Sequence, residues 1–198
     1  MQDKEGDMRK RLFFDNLASW VEQGADTDQD WIDHTALRAE IDWTAGQQEE
    51  YQKSGSALSF GDWLTENNRV FSPPTDADCL SAPVSQELKN LRTAQVRSAY
   101  SAAVAQGCLL SNGIRLQCGD LDLDRWVQLT LAISDQSLTS IIIRDHDNGL
   151  HTIDAATWKT MRSEMAAYVQ GLLQKSWTLK DQAAAAATLS ELLAVKWQ

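Results

Sequence analysis

Arg144, Asp145, His146, Asp147 and His151 are the residues from which a metal site or a general base is most easily built. In a ribbon turning at Asn148-Gly149, His146 and His151 stand opposite each other, a spacing at which two imidazoles can share an ion. No third ligand stands at useful spacing, so the cluster reads as exposed turn residues. An enzyme with a non-local metal or general-base site on the His146/His151 ribbon is the alternative. Two aspartate triplets, Asp26-x-Asp28-x-Asp30 and Asp120-x-Asp122-x-Asp124, suggest calcium loops. A calcium loop needs glycine sixth and glutamate twelfth, where Trp31 and Leu37, or Arg125 and Leu131, stand instead. Acids at helix starts, where the helix dipole favours them, are the better reading.

Cys79, Cys108 and Cys118 make neither a disulfide framework nor a metal set. With a two-residue turn at Asn112-Gly113, residue 108 faces 117 and Cys118 points to the other side of the ribbon, so all three read as reduced thiols. There is no glycine-rich phosphate loop, no nucleophile elbow and no local Cys-His pairing. No cofactor is implied, and the chain reads as an interaction protein rather than an enzyme.

The element that must position everything else is the stretch from Asp154 to Val195, with no proline and one glycine, Gly171. Asp154 supplies a capping oxygen, and the leucines and alanines that follow favour one very long helix, roughly 60 Å if uninterrupted. Trp158, Met165, Leu172, Leu179, Ala186 and Leu193 recur every seven residues, with Leu189 among the companion positions. These seven residues are the expected interface. A second stripe of Ala166, Val169, Leu173 and Trp177 widens the apolar face of the first half, which suits docking on the chain's own domain. The second half is expected to be available to another chain. A helical hairpin broken near Lys175 to Lys180 and buried in one monomer is the competing arrangement.

A net charge of −10 over 198 residues repels phosphate backbones and anionic membranes, so neither nucleic acid nor membrane is an expected partner. No apolar run approaches the roughly 20 residues that cross a bilayer, and MQDKEGDMRKR lacks the apolar block of a signal peptide. Manufacture in the cytoplasm is therefore expected. Of eight tryptophans, Trp20, Trp31, Trp43 and Trp63 fall in the charged N-terminal part.

In chain order, Lys10 to Gln23 repeats apolar residues at helical spacing, and the acidic stretch to Trp43 reads as either helix or irregular. All three prolines lie between Ser72 and Pro83, the best boundary. This gives an N-terminal helical or irregular interaction region at 1–72, a linker at 73–83 and a C-terminal domain at 84–198. In that domain a helix stops at Gly107, and a hairpin follows with Leu109, Ile114, Leu116 and Cys118 on one face. A helix over Asp120 to Ser134, a ribbon over Ser140 to Ile153 and the long helix 154–195 complete it. The fold class is α+β, mainly α, with two β-hairpins beside the helices.

The phrases AVAQG, SNGIRLQ, DLDRWVQLTLAI, RDHDNGLHTID and AAYVQGLLQKSWTLKDQAAA, in that order, carry a resemblance. The module from about Ser85 to Ala187 resembles a domain of unknown function found in bacteriophage and prophage tail-fibre regions, often at the C-terminus of tail fibre assembly proteins. Upstream, WTAGQQEEYQKSG and WLTENNRVFSPP are loosely similar to what precedes that domain, whereas the first forty residues depart from it. The resemblance implies a non-enzymatic tail protein, either a structural component of the tail fibre or baseplate region or an assembly factor. Its implied partners are tail fibre or baseplate proteins, with self-association into a homo-oligomer. Its implied location is the host cytoplasm during assembly and then the virion tail. The family offers no catalytic residues to carry over.

Overall fold

Thr27 opens the described chain as a helix cap, its hydroxyl and the Asp30 carboxylate each taking the other's backbone N–H. A computed structural model describes residues 27–198, and the expected helix over Lys10 to Gln23 lies outside them, as do Trp20 and Asp26. The described chain divides into two units, residues 27–91 with Ala185–Val195, and Arg92–Ala184 with Lys196–Gln198. The elements are α1 (Asp28–Ser54), α2 (Phe60–Glu66), α3 (Asp76–Ser81), α4 (Gln86–Ala105), β1 (Cys108–Leu109), β2 (Arg115–Leu116), α5 (Asp120–Gln136), β3 (Ser140–Arg144), β4 (Leu150–Asp154), α6 (Ala155–Ala185) and α7 (Leu189–Ala194). The fold is α+β, mainly α, with two separate two-stranded antiparallel hairpins.

In the first unit the ambiguous acidic stretch is helical and runs on through the polar TAGQQEEYQK into one 27-residue helix. It ends at Gly55, whose φ of 64° suits a residue without Cβ. Tyr51 donates its hydroxyl to Leu58 O (2.5 Å) and meets Phe60 and Trp63 edge-on or tilted, which fixes α2 beside the end of α1. The stretch read as a linker holds α3 instead. Thr75 and Asp78 cap it reciprocally, and it packs against α1 and α7 with Cys79 buried. Prolines flanking a short capped helix look like a linker in sequence because six residues show too little periodicity.

The long helix ends at Ala185, ten residues before Val195, and neither the unbroken helix nor a break near Lys175 to Lys180 is present. Val84 N–H donates to Ala187 O (3.1 Å) and Leu189 N–H to Ala82 O (3.1 Å), a short bridge of Pro83 with Thr188. The Glu191 carboxylate takes Ala187 N–H (2.6 Å), and Thr188 with Glu191 forms a capping box that starts α7. Leu189, Leu192, Leu193 and Val195 are buried there.

In the second unit, Cys108, Leu110, Leu116, Cys118, Trp126, Ile141, Ile143, Ile153, Trp158, Met161 and Met165 form one core. Both hairpins therefore cover the first half of α6, together with α5. Asp154 caps α6 as expected, accepting from Ala156 N–H (2.9 Å) and Thr157 N–H (2.8 Å). The Trp126 and Trp158 rings lie 5.6 Å apart, and Trp158 Nε1–H donates to Thr130 Oγ1 (3.1 Å).

Both hairpins differ from the expected register. Cys108 pairs with Leu116, and Leu110 N–H donates to Ile114 O (2.9 Å), so the loop is Ser111-Asn112-Gly113, three residues with Gly113 at φ 82°. One extra loop residue reverses the faces of β1: Leu109 is exposed, and Cys108, Leu110, Leu116 and Cys118 point into the core. The Cys118 thiol thus meets the Cys108 thiol rather than facing away. Burial first, and then Cys108, push the Cys118 pKa up to about 11. All three cysteines are free and buried. In the second hairpin Arg144 pairs with Leu150 and Ile143 with His151, leaving the five-residue loop 145–149.

Candidate functional site

The register of the second hairpin separates the two histidines that the sequence set opposite each other. His151 stands on the inward face of β4, opposite Ile143, while His146 belongs to the loop. Asp145 organises that loop. Its Oδ1 accepts from Asp147 N–H (2.9 Å) and Gly149 N–H (2.6 Å), and its Oδ2 lies 2.7 Å from His151 Nε2. The His151 bond, followed by the two backbone donors, holds the Asp145 carboxyl below its ordinary pKa of 3.8. It is therefore ionised at neutral pH and acts as acceptor, which places the proton on Nε2 of His151. At Gly149 an added Cβ would come within 2.7 Å of that carboxylate, so this position suits glycine.

His146 ties the loop to two other elements. Its backbone N–H donates to Arg115 O (2.7 Å), its Nε2 lies 3.1 Å from Ala105 O at the end of α4, and its Nδ1 lies 3.1 Å from Asp147 Oδ1. Both ring partners are oxygens that only accept, so making both bonds requires the imidazolium, which has no lone pair for a metal or a substrate proton. The Asp147 carboxylate and then the Ala105 carbonyl accordingly raise the His146 pKa above 6.5. The carbonyl end of α4 favours the same charge. Gly107 follows that helix end at φ +73°, where a Cβ would stand 2.6 Å from Leu116 O.

The first hairpin is fastened to α6 in a comparable way. Ser111 donates both N–H and hydroxyl to Glu164, at 2.9 and 2.6 Å, and Tyr168 donates its hydroxyl to Ala103 O at 3.2 Å. Lys175 is near the Trp197 ring and reaches the Gln198 carbonyl.

Of the remaining chemical candidates, Asp28 and Asp30 occupy the first turn of α1, and Asp120 and Asp122 that of α5. Among the described residues no three His, Cys, Asp or Glu side chains are grouped so as to hold a metal. No helix of the described residues is long and apolar enough to cross a membrane.

Of the seven expected interface residues, Trp158, Met165, Ala186, Leu189 and Leu193 are buried in the chain's own packing, and Leu172 and Leu179 are half-buried. Trp158, Met165, Leu172 and Leu179 lie on α6, whereas Ala186 follows it and Leu189 and Leu193 belong to α7. The large apolar side chain exposed on α6 is Trp177, the last residue of the second stripe, at 53%. Other large apolar side chains open to solvent include Leu121, Val127 and Leu131 on α5, Ile142 on β3, Leu150 on β4, and Val70. The run of three isoleucines in β3 carried the signal for Ile142, because a strand covered on one face must turn its middle residue outward. Between α5 and β3 lies an open cleft of about 850 Å³, lined among others by Gln117, Asp122, Trp126, Ile142 and Arg144.

Residues 87–196 match the sequence model of the family described as Domain of unknown function (DUF4376). No curated protein matches the chain, and no solved structure does. Because the family match spans more than half of its length, the chain belongs to the DUF4376 family.

Proposed function

We propose that this chain is a non-enzymatic bacteriophage tail protein. It serves as a structural component of the tail fibre or baseplate region or as the factor that assembles it, made in the host cytoplasm and carried to the virion tail. The tail assignment rests on the resemblance of the module from Ser85 to Ala187 to domains of tail-fibre regions. The mode of action, contact with other proteins, rests chiefly on Trp177, a tryptophan 53% exposed on the longest helix. Tryptophan, with tyrosine and arginine, is enriched among the residues that anchor protein interfaces. The closed hydrogen bonding of Asp145, His146 and His151 supports a structural duty for that loop.

The test is co-expression of the full chain with tail fibre and baseplate proteins of its phage, followed by affinity purification. A complex is expected that Trp177→Glu weakens at least ten-fold while circular dichroism and thermal midpoint stay unchanged. Purification of the chain free of every tail protein would defeat the reading.

A further inference from the structure

The ribbon of β3 and β4 is two strands wide among the described residues, and one edge of β3 has no strand beside it. Its hydrogen-bond phase is fixed at both ends: Ala155 N–H donates to Thr139 O (3.1 Å) and Asp145 N–H to Gly149 O (2.9 Å). Positions 139, 141, 143 and 145 therefore turn their N–H and C=O toward β4, and Ser140, Ile142 and Arg144 turn theirs away from it. The donation of His146 N–H to Arg115 O follows the same phase and closes the edge only at that end. Along Ile142 and Arg144 the edge borders the open cleft. Its five residues carry no proline and no bulge, and their one charge is Arg144 at the end of the strand.

We propose that β3 pairs edge to edge with β3 of a second copy of this chain, antiparallel, about a two-fold axis through Ile142. The side chains of this edge favour a second copy as its occupant, by charge complementarity and by an apolar residue on the axis. Antiparallel pairing about Ile142 sets Ile142 opposite itself and Ser140 opposite Arg144 of the other copy. Every outward N–H and C=O at these three positions then meets its complement, because all three lie in the same phase. On the exposed face the Ile142 side chain, 70% exposed in one copy, meets its symmetry mate and no charge sits on the axis. Arg144 of one copy lies beyond Ser140 of the other, whose partner on β4 is Asp154, so a cation enters a rung that ends in a carboxylate, twice by symmetry. The pairing stands whether or not the tail reading holds.

The full chain is examined by sedimentation velocity over a wide concentration range, as wild type, Ile142→Lys and Ile142→Glu. The wild type is expected to dimerise, and each variant to be monomeric with an unchanged circular dichroism spectrum, because like charges then face each other across the axis. An equimolar mixture of the two variants is expected to dimerise again. Ile142→Cys is expected to form a reducible crosslinked dimer, since hydrogen-bonded antiparallel partners stand about 5.5 Å apart, within disulfide reach. A wild type monomeric at every concentration would overturn the proposal, even if its edge captured a foreign extended peptide. So would charged variants that dimerise like the wild type, or a mixture that stays monomeric. If the charged variants fail to fold, absence of the crosslink overturns it. Binding of tail proteins is a separate readout and bears only on the tail assignment.

Discussion

Oδ2 of Asp145 lies 2.7 Å from Nε2 of His151 across the base of the 145–149 loop, while Oδ1 of the same carboxylate holds the N–H groups of Asp147 and Gly149. One side chain thus sets the loop's shape and the tautomer of the histidine. Asp145→Ala should speed amide hydrogen exchange at Asp147 and Gly149 markedly, whereas Asp145→Asn, which keeps an acceptor, should do so less. The carboxyl titrates below its usual 3.8 in the folded state, so its support is complete above that value and lost as pH falls through the lower folded pKa. Equal exchange in all three proteins at neutral pH would remove this role from Asp145.

His34 and His146 should titrate in opposite directions from their common reference, as read by NMR. His34, buried on α1, has its pKa lowered to about 4, first by desolvation and then by Arg38. Between pH 6.5 and 4 the unfolded chain therefore binds the extra proton, and stability falls as pH falls across that window. The linked loss is about 3 kcal/mol at most, and His34→Gln should flatten the slope in urea titrations. His146, raised by Asp147 and Ala105, contributes stability that is full below 6.5 and lost as pH rises through its folded value. Coincident midpoints for these two histidines would refute both assignments.

Trp158 is 2% exposed and packs against Trp126 with its Nε1–H satisfied by Thr130. Trp158→Ala leaves a cavity at the centre of the hairpin core and should cost about 3–5 kcal/mol in chemical denaturation, with Trp158→Phe well below that. A loss under about 1 kcal/mol for the alanine variant would mean that the ring is not the centre of this core.

The corrected end of the long helix separates two residues that heptad spacing treats as equivalent. Leu193 is buried on α7 and Leu179 only half-buried on α6, so Leu193→Asp should be the more destabilising of the two. Thr188→Ala, which removes the cap of α7, should cost about 1 kcal/mol. Equal thermal shifts for Leu179→Asp and Leu193→Asp would restore a continuous helix to Val195.

What the sequence displayed openly was helix composition, the Asp154 cap and the order of elements in the C-terminal module. Loop length was hidden because an Asn-Gly pair serves more than one turn. Asn112 Oδ1 accepts from Ile114 N–H (3.1 Å) in a three-residue loop, and the Asp145 carboxylate lengthens the other to five. Each change moves side chains between faces, which is why Cys108 and Cys118 meet and His146 and His151 do not. The stop at Ala185 was written in Thr188-x-x-Glu191, a capping box masked by the alanine run before it. The exposed Ile142 was legible only once β3 was known to be covered on one face.

The central claim, that the chain acts by contact with phage tail proteins, is tested most directly by gold-labelled antibody electron microscopy of tails purified during assembly and from mature virions. Label concentrated at the fibre or baseplate end of either population is the predicted result. Absence of label from both populations, with the chain abundant in the same cells, would contradict it.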